Sequence, residues 1–91
     1  MSLGLAIAKV AEYSAKHADA MEQVAINQRK VEDTATSDGK DSAAFREAQK
    51  ELVKWQTLAG LFKDFLSFWT EAIKSMMQML KEASQLAFGN R

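Results

Sequence analysis

Cysteine and proline are both absent from this chain. Without cysteine there is no disulfide to brace a small fold, and no thiolate to serve as metal ligand or nucleophile. Without proline, and with glycine confined to Gly4, Gly39, Gly60 and Gly89, long stretches run free of helix breakers. His17 is the one histidine, so a histidine metal cluster is excluded and His17 is expected to be a polar residue on an apolar face. An excess of charge of either sign is lacking too. Twelve basic and twelve acidic side chains cancel and no basic face forms, so nucleic acid is not an expected partner. Glycine-rich phosphate loops and the Glu-x-x-His motif of di-iron bundles are missing, and the adjacent Glu32 and Asp33 point to different parts of a helix surface. No catalytic residue, metal site or cofactor is expected, and the chain is not read as an enzyme.

Long hydrophobic runs are scarce as well. The best candidate, residues 55 to 69, is interrupted by Lys63 and Asp64, whereas a membrane span needs about 20 mostly apolar residues. The first residues lack a basic segment and reach charge at Lys9, too soon for the apolar stretch of a signal peptide. The chain therefore reads as soluble and without a conventional secretory leader. Met1-Ser2-Leu3 is also consistent with a vector-derived start, which would make this a fragment of a longer protein.

What the sequence does have is apolar periodicity. Phe45, Ala48, Leu52, Trp55, Ala59, Phe62, Leu66, Trp69, Ile73, Met76, Leu80, Ala83 and Ala87 follow one another at alternating steps of three and four, the pattern of a helix lying along other helices. A second row, Leu58, Leu61, Phe65, Phe68, Ala72, Met79 and Leu86, runs beside the first. The combined arc is wider than one partner helix covers. Upstream, Leu3, Ile7, Val10, Ser14, His17, Met21, Val24, Gln28 and Val31 repeat the spacing with more polar members. Ala11, Ala18 and Ala25 recur beside them every seven residues, where a bulky neighbour is expected to approach closely. Glu12 and Lys16, four apart, are read as a solvated face.

Between the two periodic segments lies the only stretch of small polar residues, 34 to 42, with Asp38-Gly39 its most turn-prone dipeptide. The expectation is a single all-α domain over residues 1–91, with a helix over about 3–35, a turn over 36–41 and a helix over 42–88. Asp41 or Ser42 is expected to cap the second helix, and Gly89 to stop it. So short a connection makes the helices antiparallel neighbours, and at about 91 residues the hairpin is small enough to need completion by oligomerisation into a bundle.

Docking follows from the register. If facing residue numbers sum to about 79, Val31 meets Ala48, Val24 meets Trp55, His17 meets Phe62, Val10 meets Trp69 and Leu3 meets Met76. These define the hairpin's own seam. Residues after about 77 then project past the first helix. Leu58, Leu61, Phe65, Phe68, Met76, Met79, Leu80, Leu86 and Phe88 are assigned to an oligomer or partner interface. Leaving several such side chains in water forfeits several kcal/mol at roughly 25 cal/mol per Å². Met76, Met77 and Met79 are read first as core at helical spacing, and otherwise as a pliable surface for a chaperone, a subunit or a membrane. The face holding Gln56, Lys63, Asp64, Glu71 and Lys74 is mixed in sign, which favours protein over lipid as the partner.

The polar turn Ser37-Asp38-Gly39-Lys40-Asp41-Ser42, then Ala44-Phe45, Gln49, Leu52, Trp55 and Leu58, and the long amphipathic helix that follows resemble the helical-hairpin subunits exported by bacterial type III secretion systems. That class includes needle, inner-rod, filament and translocator proteins. The resemblance covers mainly residues 37 to 80. The turn here lacks the proline common in needle subunits, and the chain continues through Lys81 to Arg91, so the likeness is to the wider class of secreted subunits.

The resemblance implies self-assembly through the second helix. It also implies a secretion chaperone or apparatus subunits as partners, and a bacterial protein that is cytoplasmic before export by a route independent of a signal peptide. Three alternatives stand beside it: a WXG100-like secreted hairpin, a helical dimerisation or adaptor module, and a membrane-active amphipathic helix. The first fits poorly because Trp55 is followed by Gln56-Thr57 and Trp69 by Thr70-Glu71, with no Trp-x-Gly in the turn.

Overall fold

A computed structural model of the chain describes residues 1–89. It contains two helices, α1 (Leu3–Ser37) and α2 (Ala43–Phe88), and no strand among the described residues. They fold back on each other as a rod of 75 × 17 × 14 Å. This is the expected helical hairpin. At 1.5 Å per residue α1 spans about 52 Å and α2 about 69 Å, so one end of α2 runs on alone.

Local chemistry sets the ends of each helix. The Ser2 hydroxyl oxygen accepts from the amide of Leu5 at 3.1 Å, and the Ser42 hydroxyl oxygen accepts from the amide of Phe45 at 3.0 Å. Each satisfies a donor that the first turn leaves free. Of the two expected caps for α2 it is Ser42 that serves, and its hydroxyl also donates to the Gly39 carbonyl at 2.7 Å. The Asp41 carbonyl instead accepts from the Arg46 guanidinium at 3.0 Å. Gly39 supplies the reversal with φ of +86°. Helix α1 extends two residues beyond the expected end near 35 because Thr36 and Ser37 donate back to the carbonyls of Glu32 and Asp33. Hydroxyls that often draw a chain into a turn here bond along the helix.

The core is thin and lies between the helices. Ala20, Val24 and Ala59 form its buried centre, with Leu52, Trp55 and Phe62 packed around them. On α2 every seam position from Phe45 to Met76 is buried or half-buried, as the spacing predicts.

On α1 the expected seam is right at alternate positions only. Leu3, Val10, His17, Val24 and Val31 turn inward, but Ile7, Ser14, Met21 and Gln28 are exposed. Their places are taken one residue earlier by Ala6, Tyr13, Ala20 and Asn27, with Thr34 continuing the series. Volume decides this. Helix α2 presents Trp55, Phe62 and Trp69, and close approach requires small partners, which Ala6 and Ala20 provide at 0% and 1% exposure. The alanines expected to admit a neighbour, Ala11, Ala18 and Ala25, are exposed instead.

Asn27 is the one buried polar side chain among the described residues. Its amide nitrogen donates to the Gln23 carbonyl one turn back at 2.8 Å. The group is thus satisfied within α1, so burying it leaves no donor unpaired.

Candidate assembly surface

Facing residue numbers sum to about 78 or 79, in line with the register expected from the sequence: Tyr13 lies against Phe65, and Trp55 packs on the cluster of Ala20, Val24 and Ala59. The pairing exhausts α1 near Leu3. Met76 is accordingly the last half-buried residue of α2, and residues 77–89 are exposed throughout. Within that end Met79 is 62% exposed, Leu80 57% and Leu86 82%, and Phe88 is exposed as well.

Alongside α1 the second row of α2 also remains open. Leu61, Phe65 and Phe68 are exposed large apolar residues, with Phe68 at 56%. Leu58 and Ala72 in the same row are half-buried. Phe68 holds the edge of the Trp69 ring at 5.2 Å between centroids, which fixes its orientation without covering its outer face. Together these side chains make one apolar strip that begins beside α1 and continues past its end.

Phe65 departs from the simple division between seam and outer surface. The ring of Tyr13 stacks on it at 5.0 Å, and Phe62 sits 6.3 Å from the same tyrosine. Phe65 therefore belongs partly to the hairpin's own interface. Tyr13 lies outside the apolar row expected for α1, and the signal for it is its place seven residues from both Ala6 and Ala20. Around it Lys9 and Lys16 hold their ammonium groups 6.0 and 5.4 Å from the ring centroid and both pair with Glu12, at 3.6 and 3.7 Å. The flank of α1 beside the strip is thus charged.

Open grooves border the helix pair. One is lined by Lys9, Tyr13, Asp64, Phe65, Phe68 and Trp69. The other, on the opposite side, includes His17, Met21, Val24, Ala59 and Lys63. His17 is half-buried there. Among the described residues no group of three or more His, Cys, Asp or Glu is placed to hold a metal ion, and no helix is long and apolar enough to cross a membrane.

Comparison of the chain with protein-family models, with curated proteins and with solved structures found no match.

Proposed function

We propose that this protein is a structural subunit that self-assembles through its second helix. The observation that carries the reading is the row of large apolar residues Leu61, Phe65, Phe68, Met79 and Leu86, which α1 leaves largely uncovered beside itself and beyond its own end. A helical extension of about a dozen residues is marginal in water without a packed face. Here that extension carries Met79, Leu80 and Leu86, and burying them against another helix stabilises both the extension and the assembly.

The resemblance of residues 37 to 80 to exported hairpin subunits extends the proposal. The assembly is part of a bacterial type III secretion apparatus. A secretion chaperone masks the same strip before export from the cytoplasm.

Light scattering across a concentration range tests the first statement: the mass should rise above the 10.1 kDa of one chain. A strictly monomeric, well-folded protein at high concentration overturns it. For the second, the protein should accumulate in the medium of the producing bacterium and vanish from it when type III export is disabled. Release that persists in the disabled strain removes the secretion reading and leaves self-assembly untouched.

A further inference from the structure

We infer that the second copy on this strip runs antiparallel to the first along α2, with Phe68 of each copy against Ala72 of the other. The inference rests on the self-assembly reading and gives it an orientation. The strip is itself a heptad seam: Leu61, Phe65, Phe68, Ala72, Ser75 and Met79 alternate steps of four and three. It lies about 100° around α2 from the row that faces α1. Helix α2 is therefore built to contact two helices, and α1 supplies one.

The order of sizes along the seam selects the direction. Three large residues, Leu61, Phe65 and Phe68, are followed by the small Ala72 and Ser75, and then by Met79. A parallel pair in register stacks each phenylalanine on its own copy and opens gaps at Ala72 and Ser75. It also sets Glu82, the next seam position, against itself, a like-charge contact at a site removed from water. An antiparallel pair centred near residue 70 places Phe68 against Ala72, Phe65 against Ser75 and Leu61 against Met79. Large side chains then meet small or flexible ones, as close packing requires. Glu82 then lies against Leu58 of the second copy, with Lys54 of that copy one turn away, in place of the contact between two Glu82 side chains in the parallel pair.

Charge does not oppose this direction, and the exposed area suits a second copy. The one like-charge approach it creates is Glu71 with Glu71 of the second copy, and each is already paired with its own Lys74 at 3.2 Å. The α1 flank is occupied by the Lys9, Glu12 and Lys16 pairs, so the contact stays on α2. Leu61, Phe65, Phe68, Met79 and Leu86 are 40 to 82% exposed. They expose roughly 600 Å² of surface, a large part of the ~800 Å² that each partner contributes to a stable complex. The same contact lays residues 77–88 along about residues 52–63 of the second copy. The Met79 and Leu86 side of the end of α2 is covered without a third component.

Because the chain has no cysteine, single introduced thiols report the direction. Glu71→Cys, at an exposed site, should be converted mainly to covalent dimer by a short bis-maleimide. Glu82→Cys places the two thiols about 36 Å apart in the antiparallel pair and should cross-link at least tenfold more slowly. If Glu71→Cys itself fails to assemble, an equal mixture of Asp64→Cys and Gln78→Cys reports the same approach and should give the mixed dimer. Cross-linking at Glu82→Cys in preference to Glu71→Cys, or at neither while light scattering still shows an oligomer, overturns the antiparallel arrangement and leaves self-assembly standing. A monomeric wild-type protein overturns both.

Discussion

Tyr13 of α1 stacks on Phe65 of α2, with ring centroids 5.0 Å apart and planes inclined by 30°. This contact joins the hairpin's own interface to its outer strip, so Phe65 and Phe68, three residues apart and both exposed, have different work. Stacked aromatic pairs contribute about 0.5–1.5 kcal/mol beyond the area they bury. Tyr13→Ala should therefore lower hairpin stability by about 1–2 kcal/mol, read by urea unfolding at concentrations low enough for single chains. Phe68→Ser should cost the single hairpin less than about 1 kcal/mol, because Phe68 is 56% exposed and its ring meets that of the adjacent Trp69. Equal losses from the two variants would contradict the division.

The register of α1 gives a second test. Ala20 is buried in the centre of the core, whereas Met21, the more apolar candidate, is exposed. Ala20→Leu forces extra volume between α1 and Trp55 or Phe62 and should destabilise by about 1–3 kcal/mol. Met21→Lys should change stability by less than about 0.5 kcal/mol. Thermal unfolding followed by circular dichroism separates them, and the reverse ranking would restore Met21 to the seam.

That pair of residues also marks the boundary of what the sequence made legible. The spacing of α2 is strong enough to fix its inward face unaided, since thirteen apolar residues repeat without interruption and the wide strip beside them must face something else. Helix α1 scatters Leu5, Ile7, Met21 and Ile26 outside its seam, so two registers one residue apart share Leu3, Val10, His17, Val24 and Val31. Hydrophobicity favours the register with Ile7 and Met21. The structure takes the other because a helix facing tryptophan and phenylalanine is selected by the space it leaves, and Ala6 and Ala20 leave the most. The contribution of Tyr13 was hidden for the same reason: it becomes an interface residue only once Ala6 and Ala20 set the face. The end of α2 was legible from length alone, because a 35-residue helix is unable to cover one of 46.

A third prediction concerns the turn. Gly39 has φ of +86°, the one positive value in the backbone among the described residues, and a β-carbon there meets nothing within 4 Å. The cost of Gly39→Ala is thus conformational and should be about 1 kcal/mol, with no change in helix content. Gly39→Asn should cost less than the alanine variant, because asparagine tolerates the left-handed region. Paired urea titrations of the two variants check the order, and an alanine variant as stable as the parent would mean that the turn adopts another conformation.

A fourth prediction separates assembly from folding. Leu86 is 82% exposed and lies past the N-terminus of α1, so it contributes to the single hairpin only through its own helix. Glutamate has a helix propensity close to that of leucine, and Leu86→Glu should leave the unfolding midpoint of dilute protein within about 0.5 kcal/mol of the parent. In the antiparallel assembly position 86 lies against Lys54 of the second copy, so a glutamate there gains an opposite charge, whereas Met79→Glu sets its charge against Leu61. A loss of about 1.4 kcal/mol corresponds to a tenfold weaker dissociation constant, and desolvating an unpaired carboxylate costs at least that much. Sedimentation equilibrium should therefore show self-association weakened tenfold or more in Met79→Glu, at a position 62% exposed in the hairpin, with the hairpin intact. Leu86→Glu should weaken it less. If Met79→Glu associates as tightly as the parent, the strip is not the assembly surface. If either unfolds the dilute chain, the end of α2 belongs to the hairpin's own core after all.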